Sequence, residues 1–347
     1  MTTSPAPEVA LAGLGWRPDL PAAKAWQAQP GGRLARVSEQ HRSGYRVCDG
    51  AREFAVQAPA PWTRRGFAPE LRAVVGDFVR LDGRDDHILE WLPRSSLFQR
   101  GAAGEHYKLQ PIAANIDTVL VVSGLDQDFN LRRLERYLVL VNASGAAPLL
   151  VLTKADRCDD VGALRQQLHT IEANGVPVVV INAKDVASVT ALAPWLGSGQ
   201  SVVLVGSSGA GKSTLTNTLL GREKMKAAAV RARDSRGRHT TTHRALSTLP
   251  QGGCLIDTPG MRELKLTGME DVADKVFADI EALARSCRFR DCRHAAEPGC
   301  AVRAALAADE LEAGRFSSYC KLLAERSQAG ADAAAREARG PRRGGSR

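Results

Sequence analysis

The chain reads as a multidomain α/β protein: a small N-terminal β-barrel, a central and mostly parallel sheet covered by helices, and a helical C-terminal module. Three patterns predict this. Five short alternating segments crowd residues 33–93, and apolar strands then alternate with helical stretches from 115 to 267. Finally, three cysteines and a histidine gather between 287 and 300.

Residues 1–32 are rich in Pro and Ala with little periodicity and are expected to be a mobile arm. Leu34–Val37, Tyr45–Cys48, Glu53–Val56, Asp77–Leu81 and His87–Trp91 are the five candidate strands, punctuated by Gly, Pro and Asp. So many short strands in so few residues fit a barrel of the OB type, a frequent carrier of single-stranded nucleic acid. A purely structural barrel fits them too. Residues 94–114 read as a linker. In the central domain, Val119–Val122 is the first buried strand, and Leu131, Leu134, Leu138 and Val141 recur at helical spacing as a core face.

The most informative stretch is Ser201–Val205, an apolar run that feeds Gly206, Ser207, Ser208, Gly209, Ala210, Gly211, Lys212, Ser213 and Thr214. Phosphate binding needs this order of strand, glycine-rich loop and helix. The glycines let backbone N–H groups curl around phosphate oxygens, and the helix N-terminus adds the positive end of its dipole. Lys212 is placed to reach the β- and γ-phosphates, and the Ser213 hydroxyl to ligate Mg²⁺. Downstream, Cys254–Asp257 ends a second buried strand and runs into Thr258, Pro259 and Gly260. Asp257 can hold the Mg²⁺ shell, and the Gly260 N–H can sense a γ-phosphate.

Base recognition comes before the phosphate loop. The strand Leu149–Leu152 leads into Thr153, Lys154, Ala155 and Asp156. A carboxylate at 156 can accept from the N1–H and exocyclic amine of guanine, which adenine cannot offer. Lys154 would lie along base and ribose. The strand Val178–Ile181 ends in Asn182, Ala183 and Lys184, suited to offering backbone N–H groups to the guanine carbonyl oxygen.

On these motifs the chain resembles the ribosome-small-subunit-dependent, circularly permuted GTPases, in which the base-reading motifs precede the phosphate loop. Thr153 departs from the usual Asn-Lys-x-Asp and removes an amide that normally braces phosphate loop and base. Permutation is physically acceptable, because the crevice depends on which strands are neighbours and not on where the chain begins. The resemblance places a first switch at residues 236–243. There Thr241 or Thr242 would bind Mg²⁺ and meet the γ-phosphate. Met261 stands where many GTPases carry a water-orienting glutamine, so the resemblance gives His239 that role, with His243 as its neighbour and rival.

Cys287, Cys292, His294 and Cys300 supply a Cys₃His set within 14 residues. Such a set is closed and structural, with Zn²⁺ the expected metal. The resembled family carries a C-terminal zinc module at this place. Arg285, Arg288, Arg290, Arg293 and Arg303, with Phe289 among them, suit contacts to RNA phosphates and one stacked base. The zinc module is expected over 268–327, with helices at Val302–Ala308 and Phe316–Arg326, and a basic disordered tail over 328–347.

A net charge of +9, from 47 basic and 38 acidic residues, favours a polyanionic partner. An odd count of 7 cysteines argues against a disulfide framework and for a reducing compartment, the cytoplasm. No signal peptide or membrane span is legible. The expectation is therefore a monomeric GTP hydrolase using Mg²⁺, with one structural Zn²⁺, acting late in assembly of the 30S subunit through its 16S rRNA. Two rival readings keep the same motifs: a nucleotide-gated RNA scaffold in which hydrolysis is incidental, and an ATP-dependent enzyme.

Overall fold

The computed structural model describes residues 7–29, 31–41, 44–64, 67–83, 86–102, 105–221, 245–257 and 276–339. The barrel is built from β1 (Arg33–Gln40), β2 (Tyr45–Cys48), β3 (Glu53–Val56), β4 (Phe78–Leu81) and β5 (Ile88–Trp91). β1 pairs antiparallel with both β2 and β4, β2 pairs with β3, and β4 with β5. A parallel bridge between Gln57 and His87 brings the two free edges together. This is the partly open five-stranded arrangement of an OB barrel. Its inward positions are apolar, among them Val37, Val47, Val56, Val79 and Ile88, with Trp62 packed edge-on to Tyr45.

Three segments differ from expectation. Residues 7–28, expected as a mobile arm, fold into short helices at Pro7–Ala10 and Pro21–Ala28. Leu11, Leu14, Trp16, Leu20 and Trp26 are buried there against Leu34, Phe78 and Leu92. Large apolar side chains at irregular spacing drive that packing without leaving a periodic trace. Residues 94–114, expected as a linker, contain a hairpin of β6 (Leu97–Ala102) and β7 (Glu105–Ala114), whose Phe98 and Ile112 join the core. Of the tail expected to be disordered over 328–347, residues 328–339 continue the helix Ala313–Arg339, since Ala, Glu and Arg are strong helix formers, and the rest lies outside the described residues.

The central sheet runs β10 (Val178–Val180), β9 (Ala147–Thr153), β8 (Thr118–Gly124), β11 (Ser201–Val205), β13 (Cys254–Asp257) and β12 (Ala245–Thr248). All are parallel except β12, which is antiparallel to β13. β8 and β11 are buried along their whole length, as strands covered on both faces must be. β12 also meets β1 at Ala245 and Glu39, so the barrel and the central sheet are continuous.

A buried arginine ties these parts together. Arg36 on β1 is fully enclosed and stacks over Phe78, 4.7 Å from its ring centre. Its guanidinium donates to the carbonyls of Gly76 (2.9 Å), Asn115 (2.8 Å) and Leu14, and to the Ser201 hydroxyl (2.7 Å). It also lies 3.2 Å from the Cys254 sulfur, so that cysteine does more than fill space. Arm, barrel and the first residues of β11 and β13 thus share one set of charge-assisted hydrogen bonds.

Candidate nucleotide site and metal centre

Every residue expected to read base or phosphate that falls among the described residues lies at the carboxyl ends of the parallel strands, where ligands bind in open α/β sheets. β11 gives way to the phosphate loop at Gly206, whose φ is +144°. A Cβ there would come within 2.1 Å of the Val122 carbonyl oxygen, so only glycine lets the loop leave the sheet beside β8. The helix Lys212–Leu220 follows, with Ser213 in its first turn. Lys212 curls back over the loop, its ammonium 2.7 Å from the Gly206 carbonyl and 2.5 Å from that of Ser207. Val203 is paired with Ile256, so Asp257 sits at the end of β13 beside the start of the phosphate loop.

Thr153 is fully buried, and its hydroxyl donates to the Ala210 carbonyl at 2.6 Å. The brace between base motif and phosphate loop therefore persists through a hydroxyl. Lys154 adopts the left-handed backbone, φ 62° and ψ 35°, and opens the short 3₁₀ turn Ala155–Arg157 that carries an exposed Asp156. The third loop is held from below. The Asn182 N–H donates to the Ser188 hydroxyl at 2.9 Å, and the Asn182 side chain accepts from the Lys184 N–H at 3.1 Å. Thr218, on the phosphate-loop helix, donates to the Ala183 carbonyl at 2.7 Å. Base loops and phosphate loop are thus joined twice by side-chain hydrogen bonds. His239, His243, Thr241, Thr242 and Gly260 lie outside the described residues.

The second centre is the Cys₃His set. The ligand atoms of Cys287, Cys292, His294 and Cys300 all lie within 4.8 Å of one another. Cys287 Sγ is 3.6 Å from His294 Nδ1 and 3.9 Å from Cys300 Sγ, and the last two are 3.4 Å apart. Tetrahedral bonds of about 2.3 Å to sulfur and about 2.0 Å to nitrogen give edges of about 3.8 Å and about 3.5 Å. Cys287, His294 and Cys300 already stand at tetrahedral separations, and the Cys292 sulfur lies within 4.8 Å of all three.

Local structure aims these ligands. His294 is left-handed at φ 59°, and Cys300 caps the helix Ala301–Ala307, accepting from the Arg303 N–H. Desolvation works against the Cys287 thiolate, but the N–H groups of Val302 and Ala301 outweigh it and hold the thiol below its ordinary range. Glu297 closes the loop, accepting from the N–H groups of Arg293 (3.0 Å), Ala295 (2.9 Å) and Ala296 (3.1 Å). With its own N–H, these donors bring its pKa down to about 2. Cys320 stands apart and exposed.

A family model described as RsgA GTPase matches residues 91–267. The small ribosomal subunit biogenesis GTPase RsgA of Xanthomonas euvesicatoria pv. vesicatoria (strain 85-10) is 54% identical over 352 residues, covering 100% of this chain and 96% of that protein. This chain belongs to the RsgA GTPase family. Its relative of the same name in Xanthomonas axonopodis pv. citri (strain 306) is 56% identical over 344 residues, covering 97% of this chain and 94% of that protein. Two solved structures share the fold of this RsgA-family chain. YloQ, a circularly permuted GTPase, has a TM-score of 0.60 at 22% identity, covering 90% of this chain and 98% of that one. YjeQ from Thermotoga maritima has a TM-score of 0.59 at 23% identity, covering 85% and 98%.

Two groups of residues in this RsgA-family chain escape motif reading. Asp126 and Asp128, in the loop after β8, grip Lys154 and Ser207. Arg315 joins Glu135, on the helix Leu131–Ser144, to Asp279 and the Val276 carbonyl at 2.6 to 2.8 Å. That cluster fastens the C-terminal module to the central domain. The signal for it was only an Arg and a Glu on the apolar faces of two helices.

Proposed function

We propose that the chain hydrolyses GTP as an assembly factor of the small ribosomal subunit, with Mg²⁺ on the nucleotide. The convergence of Thr153–Asp156, Asn182–Lys184 and the phosphate loop at one edge of the sheet carries this reading, together with membership of the family. Asp156 selects guanine, while Asn182 and Ala183 form the other side of the base site. The loop from Gly206 to Thr214 cradles the phosphates. Ser213 and Thr241 or Thr242 hold Mg²⁺ with Asp257 behind them, Gly260 senses the γ-phosphate, and His239 orients the attacking water. Catalysis of phosphoryl transfer is mostly positioning and charge stabilisation, so intrinsic turnover is slow until the subunit orders the switches.

The working parts are the barrel at 33–93, the GTPase domain at 115–267 and the zinc module at 268–327. The Cys₃His geometry and its short loop support one structural Zn²⁺. Contact with 16S rRNA is supported on both flanks. Phe289 is exposed with Arg288 at 5.5 Å from its ring centre, amid exposed Arg285, Arg290, Arg293 and Arg303. On the barrel, Arg33 and Arg52 flank Phe54 at 5.4 and 5.0 Å. Such pairs of arginine and aromatic suit phosphate and base. No helix among the described residues is long and apolar enough to cross a membrane. A cytoplasmic monomer is the reading that goes with this function.

Purified small subunits should raise GTP turnover, and His239→Ala should abolish the rise while sparing GTP binding. Turnover indifferent to subunits would favour the scaffold reading, and stimulation kept in the variant would remove His239 from the mechanism.

A further inference from the structure

β8 lies between β9, which leads to the base-reading turn, and β11, which leads to the phosphate loop. The loop at its carboxyl end therefore touches both. Asp126 Oδ2 accepts from the Lys154 ammonium at 2.5 Å. Lys154 reaches it through the left-handed backbone that few non-glycine residues adopt. Gly124 clears the space: a Cβ there would lie 2.7 Å from Asp126 Oδ1, 3.0 Å from Lys154 Nζ and 3.2 Å from Lys154 Cε.

The carboxylate is itself held in place. Its Oδ1 accepts from the Asp128 N–H at 3.2 Å, and the Leu125 N–H donates to the Thr153 carbonyl at 2.8 Å. Asp128 accepts from the Ser207 hydroxyl of the phosphate loop and from Arg133 Nη1 at 2.7 Å. Arg133 sits in the first turn of the helix Leu131–Ser144, capped by Asn130. Desolvation works to raise the Asp126 pKa, but hydrogen bonds from Lys154 and the Asp128 N–H more than offset it and keep the group ionised.

A free lysine side chain samples many rotamers, and ordering it on ligand binding costs affinity. A lysine already pinned at its tip escapes most of that cost. We propose that Asp126 is a positioning residue for the guanine nucleotide, holding the Lys154 stem across the place that base and ribose occupy. This rests on the base-site reading of Lys154 and Asp156 given above.

The test measures GTP and GDP affinity, and kcat at saturating GTP, for the wild type, Asp126→Asn, Lys154→Met, their double variant and Asp156→Ala. Thermal unfolding of each is followed alongside. Asp126→Asn is expected to weaken both nucleotides roughly ten-fold, as for loss of a charge-assisted hydrogen bond, while kcat stays within about two-fold. Because Asp126 acts through Lys154, the double variant should bind no more weakly than Lys154→Met alone. Wild-type affinity in Asp126→Asn, or fully additive losses in the double variant, would overturn the proposal. Should Asp156→Ala keep its guanine preference, the base-site reading itself fails and this inference falls with it. Should Asp156→Ala lose that preference while Asp126→Asn binds GTP as the wild type does, only the role of Asp126 is wrong.

Discussion

The two centres of this chain are organised in opposite ways. The nucleotide crevice is held by five parallel strands buried in a large core, and by side-chain hydrogen bonds from Thr153 to Ala210 and from Thr218 to Ala183. Its base loops and phosphate loop are tied to one another by the chain's own hydrogen bonds. The Cys₃His centre lies in a stretch between the helices Ala278–Arg285 and Ala301–Ala307 that has no regular structure of its own. Four ligand atoms and the Glu297 carboxylate converge its backbone. A sheet can stand without its ligand, whereas a loop of this kind, on the proposed zinc reading, would depend on its metal.

Metal removal is the strongest way to break that comparison. Structural zinc supplies roughly 10–16 kcal/mol in small zinc domains. Cys300→Ser, or chelation under mild denaturant, should release one metal ion and unfold the segment from 286 to 312. GTP affinity should stay close to the wild-type value. Metal content and limited proteolysis read the first effect, and nucleotide titration reads the second. Loss of GTP binding along with the metal would show that the two centres are one cooperative unit.

The joint between the regions comes next. Arg315 is 6% exposed and bonds to Glu135, which is fully buried. Removing one member of a buried pair costs up to about 3–5 kcal/mol, and here Arg132, 2.7 Å from the same Glu135 oxygen, offsets part of that loss. Arg315→Met should lower the unfolding free energy by less than that full amount, shift the denaturant midpoint down and uncouple the C-terminal module in the titration. A midpoint within experimental error of the wild type would mean the modules are joined elsewhere.

Within the crevice the expected effect is smaller. Thr153→Val removes the donor to Ala210 and leaves that carbonyl short of a partner, at a cost of about 1–3 kcal/mol. GTP and GDP should both bind more weakly, with the guanine preference intact because Asp156 is untouched. A change of preference without a change of affinity would reverse the roles assigned to the two residues.

How legible these features were depends on how narrowly chemistry restricts residue type. The phosphate loop, the Asp156 turn and the Cys₃His spacing each admit few alternatives, so they could be read directly. The packed arm could not, because Trp16, Leu20 and Trp26 follow no period and sit among prolines. Residues 97–114 hid a hairpin behind a polar, glycine-bearing centre. Arg36 misleads most. A charge in a strand reads as solvent-facing, and only tertiary structure gathers its neutral acceptors around it. Asp126 and Asp128 belong to no motif, and two aspartates just before an Asn cap would read as an ordinary helix start.

The smallest effect concerns pH and the metal loop. Folding lowers the Glu297 pKa from an ordinary 4.5 to about 2. Its contribution is therefore fully present above the unfolded value and is lost as pH falls through the folded one. Glu297→Gln should weaken metal retention slightly at neutral pH and flatten its pH dependence in the acid range, as read by a metal-release titration. An unchanged acid profile would assign that dependence to the thiol and imidazole ligands alone.

The most direct test of the whole account is GTP turnover by one preparation, with and without purified small subunits, before and after its metal is stripped. Stripped protein should keep its slow intrinsic turnover and its preference for GTP over ATP, and lose stimulation by the subunit. Stimulation that survives complete metal loss, or intrinsic turnover that vanishes with the metal, would contradict it.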